Sequence, residues 1–179
     1  MLETKYHSFD QAGTETLGAQ ISGYASLFGV ADKGGDIVAP GAYAQSLARL
    51  RTTGRSVKML WQHDPAQPIG VWDEVREDAH GLFVRGRLLT DLQLAKDIQT
   101  LIAGGAVDGL SIGYRTLKAD KVDAGRMLRE LDLWEVSLVT FPMLPEARVA
   151  QPATQETTET EADVARLLED AARAAATAL

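Results

Sequence analysis

Three polar residues lie in stretches that otherwise have the sequence of buried strands. They are His63 in the run WQHDP, Ser111 in GLSIGY and Glu135 in LWEVSL. A hydroxyl, an imidazole and a carboxylate can act as nucleophile, general base and orienting acid in acyl transfer. If the fold brings the three side chains together, this chemistry predicts a serine hydrolase.

Ser111 is the candidate nucleophile. On a regular strand it shares one face with Gly109 and Gly113, while Leu110 and Ile112 lie on the other face. An uncrowded face lets a substrate approach closely, but glycines in strands also mark bulges and close packing. A small strand residue is therefore the alternative interpretation. The run is not a nucleophile elbow, because the sequence predicts a strand through the serine rather than the strand-to-helix turn of that motif.

His63 is the candidate base among three histidines. His7 lies in a polar N-terminal segment, and His80 lies in a predicted hairpin turn. His63 ends a predicted strand and precedes Asp64 and Pro65, which we interpret as a strand-ending turn. A capping or surface histidine is the alternative, since imidazole also serves as a simple polar end to a strand.

Glu135 is the candidate acid. If its strand is regular, it shares a face with Leu131 and Leu133, where a carboxylate needs a partner such as protonated histidine. The alternative is a break in the register near Trp134 that turns the carboxylate to solvent. Asp64 is a second candidate for the acid, although its adjacency to the histidine makes the geometry awkward.

Other polar residues have weaker claims to a role. Arg115 falls on the Ser111 face of a regular strand, where it could pair with an acid or bind substrate, and we interpret it as a surface residue. Asp36 lies in a glycine-rich loop with no evident partner. We expect no cofactor and no metal, because no two histidines have ligand spacing and there is no cysteine.

Short strand-like runs separated by turn signals dominate residues 1–150. We predict strands over 21–30, 56–62, 69–75, 82–89, 110–117 and 127–139, a helix opened by Pro40, a second helix capped by Thr90 or Asp91, and a charged loop over 118–125. The fold class is mainly β with flanking helices (α+β). We expect a closed or nearly closed antiparallel β-barrel, because closure removes exposed strand edges.

Composition excludes several classes of protein. The net charge of -7 argues against a nucleic-acid surface, because phosphate binding needs clustered lysine and arginine. No stretch is long and apolar enough to span a bilayer, so we expect no membrane partner. The N-terminal residues contain no apolar run, so we expect no signal peptide.

The C-terminal residues differ in composition from the rest. Residues 151–179 contain six acidic and two basic residues, a net charge of -4. A threonine-rich polar stretch is followed by an alanine-rich stretch with apolar residues at helical spacing. We therefore predict two parts, a β-barrel domain over 1–150 and a linker with an amphipathic helix over 151–179.

Five motifs occur in an order that resembles a known family. The runs GYASLF, DIVAPGAY, LWQHD, GLSIGY and LWEVSLVTFP span roughly residues 20–150. In this order they are similar to the prohead maturation proteases of tailed bacteriophages. That family is similar in fold to the herpesvirus assemblins, a β-barrel flanked by helices.

The resemblance implies a function. Members are serine endopeptidases that cut scaffold, or the scaffold-like arm of the major capsid protein, and themselves, inside the assembling procapsid in the host cytoplasm. Carried over by motif, Ser111 is the nucleophile, His63 the base and Glu135 the third member, where assemblins have a second histidine. Residues 141–145 could supply an oxyanion donor. Assemblins are activated by dimerisation, so a homo-oligomer is possible here.

The alternatives stay open at this point. The same barrel could serve as a non-catalytic module that binds scaffold during capsid assembly, or as a generic esterase. The tail over 151–179 could dock to scaffold or capsid protein, be cut off by the enzyme itself, begin a fused scaffold, or be a solvated extension.

Overall fold

A computed structural model describes residues 19–123 and 125–150. In this part of the chain there are seven strands and two helices, in the order of a mainly β fold. They are β1 (Gln20–Leu27), β2 (Asp36–Val38), α1 (Ala44–Thr52), β3 (Lys58–Trp61), β4 (Asp64–Glu77), β5 (Gly81–Leu88), α2 (Gln93–Ala103), β6 (Gly109–Val122) and β7 (Gly125–Val139).

All seven strands belong to one sheet. The strands follow the order β1-β5-β4-β3-β7, with β6 along one edge of β7. The short β2 and β3 pair with different parts of the other edge of β7, and both run parallel to it. The sheet is therefore antiparallel except at these two pairings, and β7 is its central strand.

The sheet curls into a half-barrel, so that β1 and β6 approach each other at a seam. Residues 147–150 lie in this seam and bond to both strands. The Leu110 amide donates to the Ala147 carbonyl at 2.8 Å, and the Ala150 amide donates to the Ser22 carbonyl at 2.7 Å. This short segment satisfies backbone groups that two separate sheet edges would otherwise expose.

The core lies on the concave side of the sheet. Strand β5 shows the expected period of two, because Leu82, Val84 and Leu88 are buried whereas Arg85 and Arg87 are exposed. Both helices pack against the sheet through a narrow buried stripe. The buried residues form one continuous cluster, which agrees with a single core for the described residues.

The predicted loop over 118–125 is wrong, because β6 continues to Val122 and forms a long hairpin with β7. The charges that suggested a loop instead pair across the two strands. Lys118 lies 2.5 Å from Glu130, and Arg129 lies 2.7 Å from Asp120. Opposite charges on a solvated two-stranded ribbon stabilise the strand pairing.

The limits of α2 also differ from the prediction. Leu92, rather than Thr90 or Asp91, occupies the N-cap position, and no side chain caps the helix. Ala95 and Ile98 are the buried residues of the helix, and Leu101 is 38% exposed. The helix ends at a pair of glycines, Gly104 and Gly105, and Gly105 has a φ of 70°, which glycine adopts readily.

Neither helix of the described residues is long or apolar enough to cross a bilayer. The predicted linker and amphipathic helix over 151–179 lie outside the described residues, so the two-part division of the chain stays a prediction.

The seam segment should contribute measurably to stability. We expect a chain ending at residue 146 to unfold at a lower temperature than one ending at residue 150. The shorter chain loses four backbone hydrogen bonds, about 1 kcal/mol each, which corresponds to a decrease of about 10 °C or more. Thermal unfolding followed by circular dichroism tests this. Equal midpoints for the two chains would show that the seam closes without residues 147–150.

Candidate active site

His63 lies in a tight turn between β3 and β4. Trp61 pairs with Asp64, so Gln62 and His63 form a two-residue hairpin loop. Asp64 therefore begins the next strand rather than ending the first, in contrast to the predicted turn at Asp64 and Pro65. The turn places the imidazole at the end of the hairpin, where it can reach the neighbouring strands β6 and β7.

The turn has an uncommon backbone. Gln62 and His63 have φ values of 52° and 61°, and they are the only non-glycine residues with positive φ in the described part of the chain. Two-residue hairpins require positive φ, a requirement that glycine or asparagine normally meets. A strained residue of this kind costs about 1–3 kcal/mol and persists only where its surroundings over-determine it.

Strand β7 supplies the bonds that hold the turn. The Gln62 amide donates to the Leu138 carbonyl at 3.0 Å, and the Gln62 side-chain amide donates to the Thr140 hydroxyl at 2.8 Å. The Thr140 amide lies 3.4 Å from the Gln62 side-chain oxygen as a third, longer link. The strained turn is thus fixed to the strand that carries Glu135.

A β-bulge interrupts β7 immediately before Glu135. Gly113 of β6 pairs with Glu135, whereas the next residue, Tyr114, pairs with Leu133. Trp134 is therefore the extra residue, and its side chain is 55% exposed. The register break that the sequence suggested as an alternative is present at this position.

The bulge exchanges the two faces of the strand. Before it, the odd-numbered Leu131 and Leu133 are buried in the core, and after it the even-numbered Val136 and Leu138 are. Glu135 consequently leaves the core face that a regular strand would give it. It does not reach solvent either, because it is only 8% exposed. The carboxylate lies on the outer face, where the neighbouring Ser111 and His63 cover it.

The position of the Ser111 side chain is set by the pairing of β6 with β7. Leu110 is fully buried in the core, so the adjacent Ser111 projects from the opposite face, as the alternation predicted. Ser111 pairs with Ser137 and therefore lies one pair along the same face from Glu135. The three candidate residues come from two adjacent strands and one hairpin turn.

The three side chains form a continuous hydrogen-bonded chain. The Ser111 Oγ lies 2.9 Å from His63 Nε2, and His63 Nδ1 lies 2.6 Å from Glu135 Oε1. The carboxylate accepts from Nδ1–H, which leaves Nε2 free to accept the serine proton. The hydrogen bond from the ring to Glu135 raises the pKa of His63, while partial burial opposes that increase.

Gly113 is required for the carboxylate to lie where it does. A Cβ atom at this position would come within 1.9 Å of Glu135 Oε1 and 2.6 Å of its carboxyl carbon. The Glu135 side chain thus crosses over the backbone of β6 at a glycine, which has no side chain to block it. The glycine that flanks Ser111 in the sequence makes room for the acid.

An open cleft of about 170 Å³ lies beside Ser111 at the seam between β1 and β6. Its walls are mostly apolar. Side chains that line it include Leu27, Val30, Ile112, Tyr114, Met143 and Leu144. Phe141, in the loop that follows β7, is 84% exposed. The cleft therefore runs along the strand that carries Ser111.

The remaining sequence candidates lie outside this chain of hydrogen bonds. Asp64 accepts from the Ala66 amide and the Gln67 side chain, so it is occupied in its own turn. Arg115 pairs with an acid, Asp132, at 3.3 Å, which was one of the two roles that the sequence suggested for it.

Asp36 has structural partners, and the two other histidines lie elsewhere in the chain. Asp36, for which no partner was evident, pairs with Arg126 and accepts from the Tyr114 hydroxyl at 3.2 Å. These contacts lower the pKa of Asp36, chiefly through Arg126. His80 lies in the hairpin turn between β4 and β5, and His7 lies outside the described residues.

Sequence reasoning missed Ser137. Its hydroxyl donates to Glu135 Oε2 at 2.6 Å and accepts from the backbone amide of His63 at 3.1 Å. The signal was available, because Ser137 lies two residues after Glu135 and therefore shares its face of the strand.

A serine, a histidine and a carboxylate bonded in this order beside an open cleft define the arrangement found in serine hydrolases. The chain belongs to the caudovirus prohead serine protease family, whose sequence profile matches residues 5–163. It is therefore a serine peptidase, and the predicted family is confirmed.

One relative in sequence agrees with this assignment, and two solved structures are similar in fold. The prohead protease of Enterobacteria phage HK97 is 34% identical over 171 residues, which cover 91% of this chain and 75% of that protein. The capsid assembly protease of bacteriophage T4 superposes with a TM-score of 0.56 at 15% identity, over 69% of this chain and 82% of that one, and so shares the fold. The protease of KSHV gives a TM-score of 0.48 at 12% identity, over 87% and 76% of the two chains.

The contact between Gly113 and Glu135 predicts a loss of function by a small substitution. Gly113→Ala must displace the carboxylate, so we expect labelling of the protein by a fluorophosphonate probe to slow by about tenfold or more. Gly104→Ala is a matched control, because a Cβ there meets its nearest atom at 3.4 Å, an ordinary contact. Labelling at the same rate in both variants would contradict the close approach.

Proposed function

We propose that this peptidase uses Ser111 as nucleophile, His63 as general base and Glu135 as orienting acid, and that it acts on proteins of the assembling prohead. The observation that carries the proposal is the unbroken chain of bonds, 2.9 Å and 2.6 Å long, in a member of a serine protease family. An assembly module without activity would not need this chain.

The reaction follows from the direction of these bonds. Ser111 Oγ attacks the carbonyl carbon of the peptide while its proton passes to His63 Nε2. The tetrahedral intermediate collapses, the C–N bond breaks, and the imidazolium gives its proton to the leaving amine. Water then attacks the acyl-enzyme with His63 again as base, and this step releases the acid and restores the serine. Glu135 holds Nδ1–H throughout and stabilises the imidazolium.

The developing oxyanion needs donors fixed in advance. The loop over 141–145 is the best source, as the sequence suggested. Met143 and Leu144 line the cleft together with Ser111. Within the described residues, neither backbone amide donates a hydrogen bond to another group. Such unpaired amides beside the nucleophile are available to an oxyanion.

The proposed substrates are the scaffold protein, or a scaffold-like arm of the major capsid protein, and the protease itself. The names of the relatives support this choice, since one is a prohead protease and the other a capsid assembly protease. Cleavage would then take place inside the assembling prohead in the host cell. An extended segment of substrate would lie in the apolar cleft beside Ser111. In this scheme residues 151–179 are the segment for docking or self-cleavage.

Replacement of the nucleophile tests the proposal directly. Ser111→Ala should abolish both fluorophosphonate labelling and cleavage of co-expressed capsid or scaffold protein. His63→Ala should slow labelling by about 100-fold to 10,000-fold, the usual contribution of a general base. Mass spectrometry of the labelled peptide identifies the modified residue.

The controls for these variants are a buried serine and an exposed histidine away from the site. Ser46→Ala and His80→Ala should retain labelling and cleavage. Undiminished processing by Ser111→Ala, or a label on a different residue, would exclude Ser111 as the nucleophile.

The contact of His63 with Glu135 predicts a shift in the pH dependence. His63 must be neutral to accept the serine proton, so the labelling rate rises as pH passes through its pKa. Glu135 raises that pKa above the ordinary 6.5. Glu135→Gln should therefore move the acidic limb of the profile to lower pH and also reduce the maximal rate.

Glu130→Gln is the matched control for this shift. It removes a carboxylate from the same strand, but one paired with Lys118 rather than with His63. The acidic limb of this control should stay where it is in the wild type. An acidic limb that stays in place in Glu135→Gln would mean that another group sets the pKa of His63.

A further inference from the structure

Ser137 is fully buried on β7, two residues after Glu135. Its hydroxyl makes two hydrogen bonds, and both go to groups of the active site. It donates to Glu135 Oε2 at 2.6 Å and accepts from the backbone amide of His63 at 3.1 Å. One oxygen atom therefore touches the acid and the base residue at the same time.

These bonds complete a closed ring of contacts. The ring runs from the His63 amide through Ser137 Oγ to Glu135 Oε2, across the carboxylate to Oε1, and back to His63 Nδ1 at 2.6 Å. With both oxygens engaged, the carboxylate cannot rotate without breaking a charge-assisted hydrogen bond. The carboxylate and the imidazole are thus held in one orientation relative to each other.

The turn that carries His63 explains why such a link matters. Its two residues have a strained backbone, and strained conformations relax when the surrounding bonds are lost. The bond from Ser137 is a direct restraint on the backbone of His63 itself. It anchors the imidazole to the same strand that presents the acid.

A buried serine with a purely structural role looks different in this protein. Ser46 of α1 is also fully buried, and it accepts a hydrogen bond of 2.9 Å from the Leu133 amide of β7. None of its described hydrogen bonds goes to Ser111, His63 or Glu135. The two serines therefore match in burial and in backbone acceptance, and differ in their connection to the site.

We infer that Ser137 is a positioning residue that holds the Glu135 carboxylate against the His63 ring, and so keeps Nε2 directed at Ser111. The inference rests on the proposed function of the site. Ser137 does not touch the reacting atoms, so it acts through Glu135.

Kinetics of fluorophosphonate labelling test this role. Ser137→Ala should lower the maximal labelling rate by about tenfold or more, the scale of a hydrogen bond to a charged group, while the half-saturating probe concentration stays within about twofold. Ser46→Ala should leave both constants near those of the wild type, although it loses a comparable buried hydrogen bond. A Ser137→Ala rate within about twofold of that of Ser46→Ala would overturn the inference.

A double-mutant cycle tests whether Ser137 acts through the carboxylate. In a Glu135→Ala background, Ser137→Ala should slow labelling by no more than about twofold, because the group that it positions is already absent. An unchanged tenfold effect in that background would contradict the inference.

Nuclear magnetic resonance separates failure of this inference from failure of the proposed function. The strong bond to Glu135 should give the Nδ1 proton of His63 a far-downfield resonance in the wild type and in Ser46→Ala, whether or not the enzyme is active. Ser137→Ala should weaken this signal or lose it to exchange. The same signal in all three proteins would overturn the role of Ser137, whereas absence of labelling at Ser111 in the wild type would overturn the function instead.

Discussion

The carboxylate of Glu135 is the group on which the site depends. It lies almost entirely out of water, where an unpaired charge is strongly unfavourable. Its two oxygens are satisfied by the imidazole N–H of His63 and the hydroxyl of Ser137. Two features of the neighbouring strands allow this charge to be buried. A bulge at Trp134 brings it to the outer face, and a glycine at position 113 leaves space for it.

The site also contains a strained turn, and the arrangement of the strands explains why the turn persists. Two left-handed residues, Gln62 and His63, would cost several kcal/mol in an isolated hairpin. Here β3 pairs with β7 immediately before the turn. The turn residues Gln62 and His63 then form further hydrogen bonds with residues 137, 138 and 140, at the end of β7 and in the loop that follows it. The central strand of the sheet therefore holds His63 and Glu135 together. A site held in this way is organised before substrate arrives, as electrostatic catalysis requires.

The same strands build the core and the candidate active site. Leu110, Val136 and Leu138 point into the half-barrel, while Ser111, Glu135 and Ser137 alternate with them on the other face. Packing of the apolar face consequently sets the position of the polar face to within hydrogen-bonding distances. The cleft that Ser111 helps to line lies between β1 and β6, and it is the surface that we propose for substrate.

The sequence by itself was enough to select the three polar residues of the candidate site, to place Ser111 on the face opposite Leu110, and to predict the hairpin of β4 and β5. The order of its motifs was enough to predict the family. Single-strand periodicity could not decide the face of Glu135, because one extra residue reverses the alternation, and a bulge is defined only by the opposing strand. The turn at His63 and its bond to Ser137 could not be predicted either. Each depends on contacts between residues more than seventy positions apart, which pattern along one chain does not encode.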